Sequence, residues 1–189
     1  MTDFLITGLG NPGGRYDNTR HNAGFWVLDE LARRRGVKIR KIKFHAVYAA
    51  AGNILLLKPQ TFMNLSGRAV RDAAAFYKLP PGRIIVVHDE AALPPGRLRL
   101  RASGSDGGHN GLKDILYHLQ SDRFLRVKIG VGGPPDPETD LAGWVLAQIS
   151  EGDRKILDEA VPRAADAVEC ILREGIEAAM NRFNGAAGE

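Results

Sequence analysis

Two apolar, strand-like runs lie side by side in Ala46-Val47-Tyr48-Ala49-Ala50-Ala51-Gly52-Asn53-Ile54-Leu55-Leu56-Leu57-Lys58, with only Gly52-Asn53 to break them. So short a break between strands at Ala46–Ala51 and Asn53–Lys58 is a tight hairpin, and one strand pair is therefore antiparallel. Outward from it, short β-branched or apolar runs at Phe4–Thr7, Ile84–His88, Leu98–Arg101 and Val127–Val131 alternate with helical patterns at Ala23–Arg35, Asn64–Tyr77 and Leu112–Leu119. Strands alternating with helices build a layered α/β protein, and the hairpin makes its sheet mixed. From about Glu151 to Asn184 the pattern is helical. Ile156, Leu157, Ala160, Val161, Ala164, Ala167, Val168, Ile171 and Leu172 trace one apolar stripe there. Pro162 is expected to kink that segment or split it in two. Cys170, one position from the stripe, reads as a packed thiol. The expected fold is α/β, a mixed, twisted β-sheet flanked by helices, forming a single domain over residues 1–189.

Composition agrees with a packed domain. The 189 residues are 44% hydrophobic and 25% charged, which argues against disorder, and a chain of this size buries roughly 70% of its unfolded surface. Apolar runs such as Ile54–Leu57 and Ile84–Val87 fall far short of the ~20 residues of a membrane span. Met1-Thr2-Asp3-Phe4 lacks the basic and apolar blocks of a secretory signal. The single cysteine excludes an internal disulfide and a cysteine-rich zinc site. The expectation is a soluble, cytoplasmic protein without a membrane partner. Its net charge of +4 says little until the charges are placed. Arg33 to Lys43 puts seven cations in eleven residues with no acid among them, and a looser set comprises Arg97, Arg99, Arg101, Arg123, Arg126 and Lys128. Each set reads either as a solvated face or as a phosphate-contacting one.

Five segments depart from plain scaffold: Gly8–Gly14, Tyr16–Gly24, Lys58–Gly67, His88–Gly96 and Ser103–Gly111. Each adjoins a strand and is crowded with Gly, Asn, His or Asp. Ligands of open α/β sheets sit beyond the carboxyl ends of the strands, so these loops are expected to converge on one site. Several chemistries fit them poorly. Gly8-Leu9-Gly10-Asn11-Pro12-Gly13 matches G-x-G-x-x-G in form, but a dinucleotide site needs a helix opening directly on that turn with free amides. Pro12 removes one amide, and Gly14 to Arg20 is irregular. No Walker-type G-x-x-x-x-G-K-[ST] occurs. His21, His45, His88, His109 and His118 include no i, i+4 pair of the helical zinc kind. Ser103-Gly104-Ser105-Asp106-Gly107 misses the first glycine of a nucleophile elbow. No metal and no cofactor is expected. What remains is neutral amides at Asn11, Asn22, Asn64 and Asn110 with one candidate base, His21, and a strand-end carboxylate, Asp89. A carboxylate-oriented imidazole can deprotonate water near neutral pH, and uncharged amides suit an amide or ester substrate and its developing oxyanion.

Taken together, these motifs resemble the bacterial peptidyl-tRNA hydrolase family. They are Gly8–Gly13, Tyr16 with Asn18-Thr19-Arg20-His21-Asn22-Ala23-Gly24, Lys58-Pro59-Gln60-Thr61-Phe62-Met63-Asn64-Leu65-Ser66-Gly67, His88-Asp89-Glu90 with Leu93-Pro94-Pro95-Gly96, and Gly107-Gly108-His109-Asn110-Gly111-Leu112-Lys113-Asp114. Their order and spacing agree over essentially the whole chain. The resemblance implies cleavage of the ester between a peptide and the terminal ribose of tRNA, recycling tRNA from aborted translation, by a cytoplasmic monomer whose partner is peptidyl-tRNA. It implies His21 as general base, Asp89 orienting it, and Asn11 and Asn64 positioning peptide and ester. Asn110 would hold substrate and water, Met63 and Tyr16 would line the substrate groove, and His109 would support the loop around Asn110. Arg101 and Lys128 match the family's phosphate clamp, and Pro134-Pro135-Asp136-Pro137 with Leu141-Ala142-Gly143-Trp144 looks like its mobile gate. The chain departs from the family at Ala92, where an acid is usual, and at Ser103 and Ser105-Asp106, where glycine is usual. The rival reading is a non-catalytic RNA-binding module on the same fold, as in related organellar splicing factors. Retention of His21, Asp89, Asn11, Asn64 and Asn110 together argues against it.

Overall fold

A computed structural model describes residues 1–185. Seven strands form one sheet in the order β2-β3-β4-β1-β5-β7-β6. They are β1 (Phe4–Gly8), β2 (Lys41–Lys43), β3 (Ala46–Ala51), β4 (Ile54–Pro59), β5 (Ile84–Glu90), β6 (Leu98–Arg101) and β7 (Leu125–Gly130). The expected hairpin joins β3 to β4, Ala51 facing Ile54 across Gly52-Asn53, and only its first turn residue, Gly52, takes positive φ (64°), the place where type II′ turns carry glycine. Strands β4, β1, β5 and β7 run parallel, while β2–β3, β3–β4 and β6–β7 are antiparallel, so the sheet is mixed.

Helices cover both faces, because the central strands are largely apolar and buried at nearly every position, and so present two apolar surfaces to bury. Ile6, Leu56, Ile85, Val87 and Val127 pack under α1 (Ala23–Arg34) and α5 (Glu151–Glu174). On the other face Leu5, Leu55, Leu57, Ile84 and Val86 pack under α2 (Ser66–Tyr77) and α3 (Asn110–Leu119). Fully burying one such side chain is worth about 1.5–3 kcal/mol. Two shorter helices, α4 (Leu141–Leu146) and α6 (Ile176–Phe183), complete the chain.

Three expectations need correction. Pro162 does not split the long helix: α5 runs through it and ends at Gly175, whose φ of 89° starts a new direction into α6. An interior proline costs about 3 kcal/mol, but Leu157, Ala160, Ala164, Val168 and Ile171 are buried on both sides of it, and Arg34 donates to the Pro162 carbonyl at 3.0 Å. The basic stretch Arg33–Lys43 is not one face. Arg33 and Arg34 hydrogen-bond Glu30, holding its carboxyl at about 2, and Arg34 ties α1 to Asp166 and Glu169 of α5. Lys41 and Lys43 instead form β2, whose outward lysines blunt an exposed sheet edge. Its turn into β3 is Phe44-His45, both at positive φ (58° and 54°), where asparagine and glycine are usual. The strain is offset by Phe44 stacking against Tyr48, Phe76 and Tyr77. Finally, Arg126 is no surface cation. It is wholly buried, and its guanidinium donates to the carbonyls of Asp122, Phe124 and Gly104.

Candidate active site

The parallel strands end together where the chain leaves β1 for one side of the sheet and β5 lies on the other. This is the switch point at which α/β sheets open a crevice. A cleft of about 450 Å³ lies there. All five loops reach it, through Asn11, His21, Met63, Asp89 and His109 among others. Two close approaches make this possible. A Cβ at Gly24 would lie 2.3 Å from the Val87 carbonyl oxygen, so only glycine lets α1 start against the ends of β1 and β5. A Cβ at Gly111 would lie 2.7 Å from Met63 Sδ, so glycine lets α3 start against the Met63 loop. The glycine-rich turn after β1 opens on no helix: irregular chain and two short 3-10 turns, Gly14–Tyr16 and Arg20–Asn22, precede α1.

His21 sits in the second of these turns, buried, with Nδ1 2.9 and 3.0 Å from the two Asp89 carboxylate oxygens. Asp89 belongs to β5 itself, which continues two residues past the expected end by pairing with Ile129 and Gly130. A second imidazole meets the same carboxylate: His109 Nε2 lies 2.9 Å from Asp89 Oδ1. The tautomers follow from the partners. Nδ1 of His109 accepts from the backbone amides of Gly111 and Leu112, capping α3, so its proton is on Nε2 and is donated to Asp89. Asp89, ionised, can only accept, so His21 donates from Nδ1 and its Nε2 lone pair is left to the cleft. Burial would lower the His21 pKa, but the charge and hydrogen bond of Asp89 outweigh it and lift the value above the ordinary 6.5. Burial would likewise raise the Asp89 carboxyl, yet the two imidazoles hold it far below the usual carboxylate range.

His21, Asp89 and His109 bring three potential ligand atoms within 4.8 Å of one another, a spacing a metal ion could use. The hydrogen bonds assign that space to protons: both nitrogens that face Asp89 are donors to it, and a metal would have to displace both. His88 turns to the opposite face, donates from Nδ1 to the Asp89 carbonyl at 2.7 Å, and is kept neutral by burial first and by the neighbouring His109 second.

The four asparagines divide. Asn22 is structural: its amide exchanges hydrogen bonds with the Asn11 backbone at 2.9 and 3.0 Å, so it is not a free cleft donor. Asn11 Oδ1 accepts from the Met63 amide at 2.8 Å, which turns Nδ2 towards the cleft. Asn64 and Asn110 line the cleft, and among the described residues their side chains make no hydrogen bond. Tyr16 and Met63 also line it. Arg101 and Lys128 do not; they lie on the same face of the β6–β7 pair, Arg101 opposite Arg126 and Lys128 opposite Arg99. Lys128 is held by Glu90 at 3.0 Å, and Glu90 borders the cleft.

The far wall is α4, which contains the Leu141–Trp144 stretch that resemblance alone marked as a gate; its Leu141, Ala142, Val145 and Leu146 face the cleft across from Phe62 and Met63. Its signal was Asp140, which caps the helix by accepting from the Ala142 and Gly143 amides. The departure at Asp106 is also explained. Its side chain accepts from Gly108 N at 2.7 Å and its carbonyl from His109 N at 2.9 Å, which shapes the turn before His109.

Both His109 nitrogens are thus committed to the protein, which makes it a support for Asp89 and α3. His109→Ala is expected to cost about 1 kcal/mol of stability for the lost cap. It should also lower kcat about 10- to 100-fold for the lost charged hydrogen bond. A thermal melt and steady-state kinetics check both, and an unchanged kcat would remove His109 from the network.

A buried imidazole–carboxylate pair facing an amide-lined cleft at strand ends defines an α/β enzyme of the hydrolase class. Comparison with known proteins makes this particular. A profile of the peptidyl-tRNA hydrolase family matches residues 5–189. The chain is 50% identical over 187 residues to the peptidyl-tRNA hydrolase of Thermoanaerobacter sp. (strain X514), covering 96% of this chain and 100% of that one. It is 51% identical over 186 residues to that of Symbiobacterium thermophilum, covering 95% and 98%. The crystal structure of peptidyl-tRNA hydrolase from Acinetobacter baumannii superposes with a TM-score of 0.89 at 37% identity, covering 98% of this chain and 97% of that one. The chain belongs to the peptidyl-tRNA hydrolase family, and its activity is hydrolysis of the ester bond of peptidyl-tRNA.

Proposed function

We propose that the chain works as a single catalytic domain, residues 1–189, in which His21 activates water against the peptidyl ester. The observation that carries this is the direction of the two N–H donors at Asp89, which leaves His21 Nε2 unprotonated on the cleft side. Nε2 takes a proton from water as the oxygen attacks the ester carbonyl carbon. The oxyanion accepts a hydrogen bond from Asn11 Nδ2, and the Asp89 carboxylate stabilises the imidazolium. The carbon–oxygen bond to the ribose then breaks, and the imidazolium returns its proton to the leaving hydroxyl. Asn64 and Asn110 orient the peptide backbone and the water, and Tyr16 and Met63 contact the substrate.

Arg101 and Lys128 meet tRNA phosphate, supported by their shared face on the sheet. Lys128 must then exchange Glu90 for phosphate. The chain acts as a monomer. Among the described residues no helix is long and apolar enough to cross a membrane, and the substrate belongs to translation, which supports work in the cytoplasm.

The cleft also explains selection against a free α-ammonium. Its two carboxylates are already committed, Asp89 to two imidazoles and Glu90 to Lys128, so an ammonium would lose hydration without gaining a counter-charge. The test is hydrolysis of an N-blocked aminoacyl-tRNA beside its unblocked form, with and without chelator. The blocked substrate is expected to be cleaved at least about tenfold faster, the factor for about 1.4 kcal/mol of desolvation, with no effect of chelator. Equal rates, or loss of activity in chelator, would contradict the reading.

A further inference from the structure

The outer wall of the cleft is α4, six residues long with Val145 its one buried residue, and a helix this short has little stability of its own. It packs on the 3-10 turn Arg20–Asn22. At the centre of that contact is Arg20, the residue immediately before His21, which is only 2% exposed. Its Nη2 donates to Asp153 Oδ2 at 2.7 Å, and its Cζ lies 3.6 Å from the centre of the Trp144 ring in α4. Trp144 is fixed from the other side, donating its indole N–H to the Gly132 carbonyl at 2.8 Å. Arg20 Nε makes no hydrogen bond among the described residues, so the ion pair and the ring face are what compensate the burial of this charge. A planar guanidinium can lie flat on an indole while pairing with a carboxylate at its edge; an ammonium cannot do both.

Adjacent bonds extend the joint. Asn18 accepts from Ile149 N at 3.0 Å and from Arg154 at 3.1 Å, and Thr19 bridges Gln148. The segment that delivers His21 and the segment that follows α4 are therefore held as one body.

We infer that Arg20 is a positioning residue: clamped between Trp144 and Asp153, it fixes the α4 wall to the turn that carries His21 and so sets affinity for the peptide part of the substrate. The Arg20–Trp144 stack, rather than the chemistry at His21, governs whether Leu141, Val145 and Leu146 stand opposite Phe62 and Met63. This rests on His21 as the base, and the two are separable: loss of the base appears in kcat, loss of the wall in KM.

The experiment is steady-state cleavage of a peptidyl-tRNA bearing an apolar peptide by Trp144→Ala, Trp144→Phe and Arg20→Lys, each checked for folding by thermal melt. Trp144→Ala is expected to raise KM about thirtyfold, the size of a desolvated cation–π contact, with kcat nearly unchanged. Trp144→Phe keeps a ring face for the guanidinium and should restore most of the affinity, while Arg20→Lys should fall between. Should Arg20→Lys fail to fold, the two Trp144 variants decide alone. The inference is overturned if Trp144→Ala keeps the wild-type KM, if its loss lies in kcat alone, or if Trp144→Phe is as impaired as Trp144→Ala.

Discussion

His21→Ala is expected to lower kcat for peptidyl-tRNA cleavage by about 10²–10⁴-fold, the range for loss of a general base, while KM changes little. The imidazole is buried against β5 and offers the cleft one nitrogen, Nε2, so its removal takes away proton transfer and leaves the surfaces that hold tRNA and peptide in place. The Asn11 donor is also retained, because it is fixed by the Met63 amide rather than by His21. Some acceleration over water should therefore persist in the variant. Single-turnover cleavage at saturating enzyme separates the chemical step from binding. A wild-type rate would remove His21 from the chemistry, and a loss confined to KM would make it a binding residue.

Asp89→Asn should be nearly as damaging, about 10³-fold or more in kcat by analogy with carboxylate-to-amide changes in other oriented-histidine enzymes. The reason is a conflict of tautomers. The carboxylate accepts from His109 Nε2 at Oδ1 and from His21 Nδ1 at both oxygens, whereas an amide that keeps its oxygen at Oδ1 sets its NH₂ against the His21 Nδ1 proton. One imidazole must then shift its proton. His109 is held to its tautomer by two backbone amides at the start of α3, so His21 yields. Its proton moves to Nε2 and the cleft loses its base. The shape of the site is preserved, so KM should remain close to wild type. If Asp89→Asn kept most of its activity, the carboxylate would be structural only.

Much of this was legible in the chain, for identifiable reasons. The hairpin at Gly52-Asn53 declares itself because glycine stands at the one turn position that needs positive φ. The next hairpin, at Phe44-His45, was hidden because two bulky residues adopt that conformation, a cost offset by a ring cluster assembled from Tyr48, Phe76 and Tyr77. No local reading can see that compensation. Arg126 misled for a related reason. An arginine in an otherwise apolar strand reads as surface charge, and the strand was started too late, but three backbone carbonyls, two just before β7 and one at Gly104, hold its terminal nitrogens inside. At Pro162 the helix is not split, because apolar contacts on both sides of the proline carry it through.

At the site, the residues that act were visible as residue types on five loops. Their division of labour was not. Asn22 and Asn11 look alike in sequence, yet one is spent holding the other's backbone. His109 carried no sign that its two nitrogens would be shared between a helix cap and Asp89. The α4 wall was marked by resemblance and not as a helix, because six residues are too few for a helical period to register.

The central claim is that His21 acts as a base whose pKa is lifted above 6.5 by Asp89. A base works in its neutral form, so activity is lost as pH falls through that pKa and is full above it. The most direct measurement is the pH dependence of kcat/KM for cleavage of a blocked aminoacyl-tRNA, from about pH 5 to about pH 8, by wild type and Asp89→Asn. The account predicts an acid limb in the wild type with one pKa above 6.5, and its loss or downward displacement in the variant. A flat wild-type profile, or an acid limb that Asp89→Asn leaves in place, would contradict it.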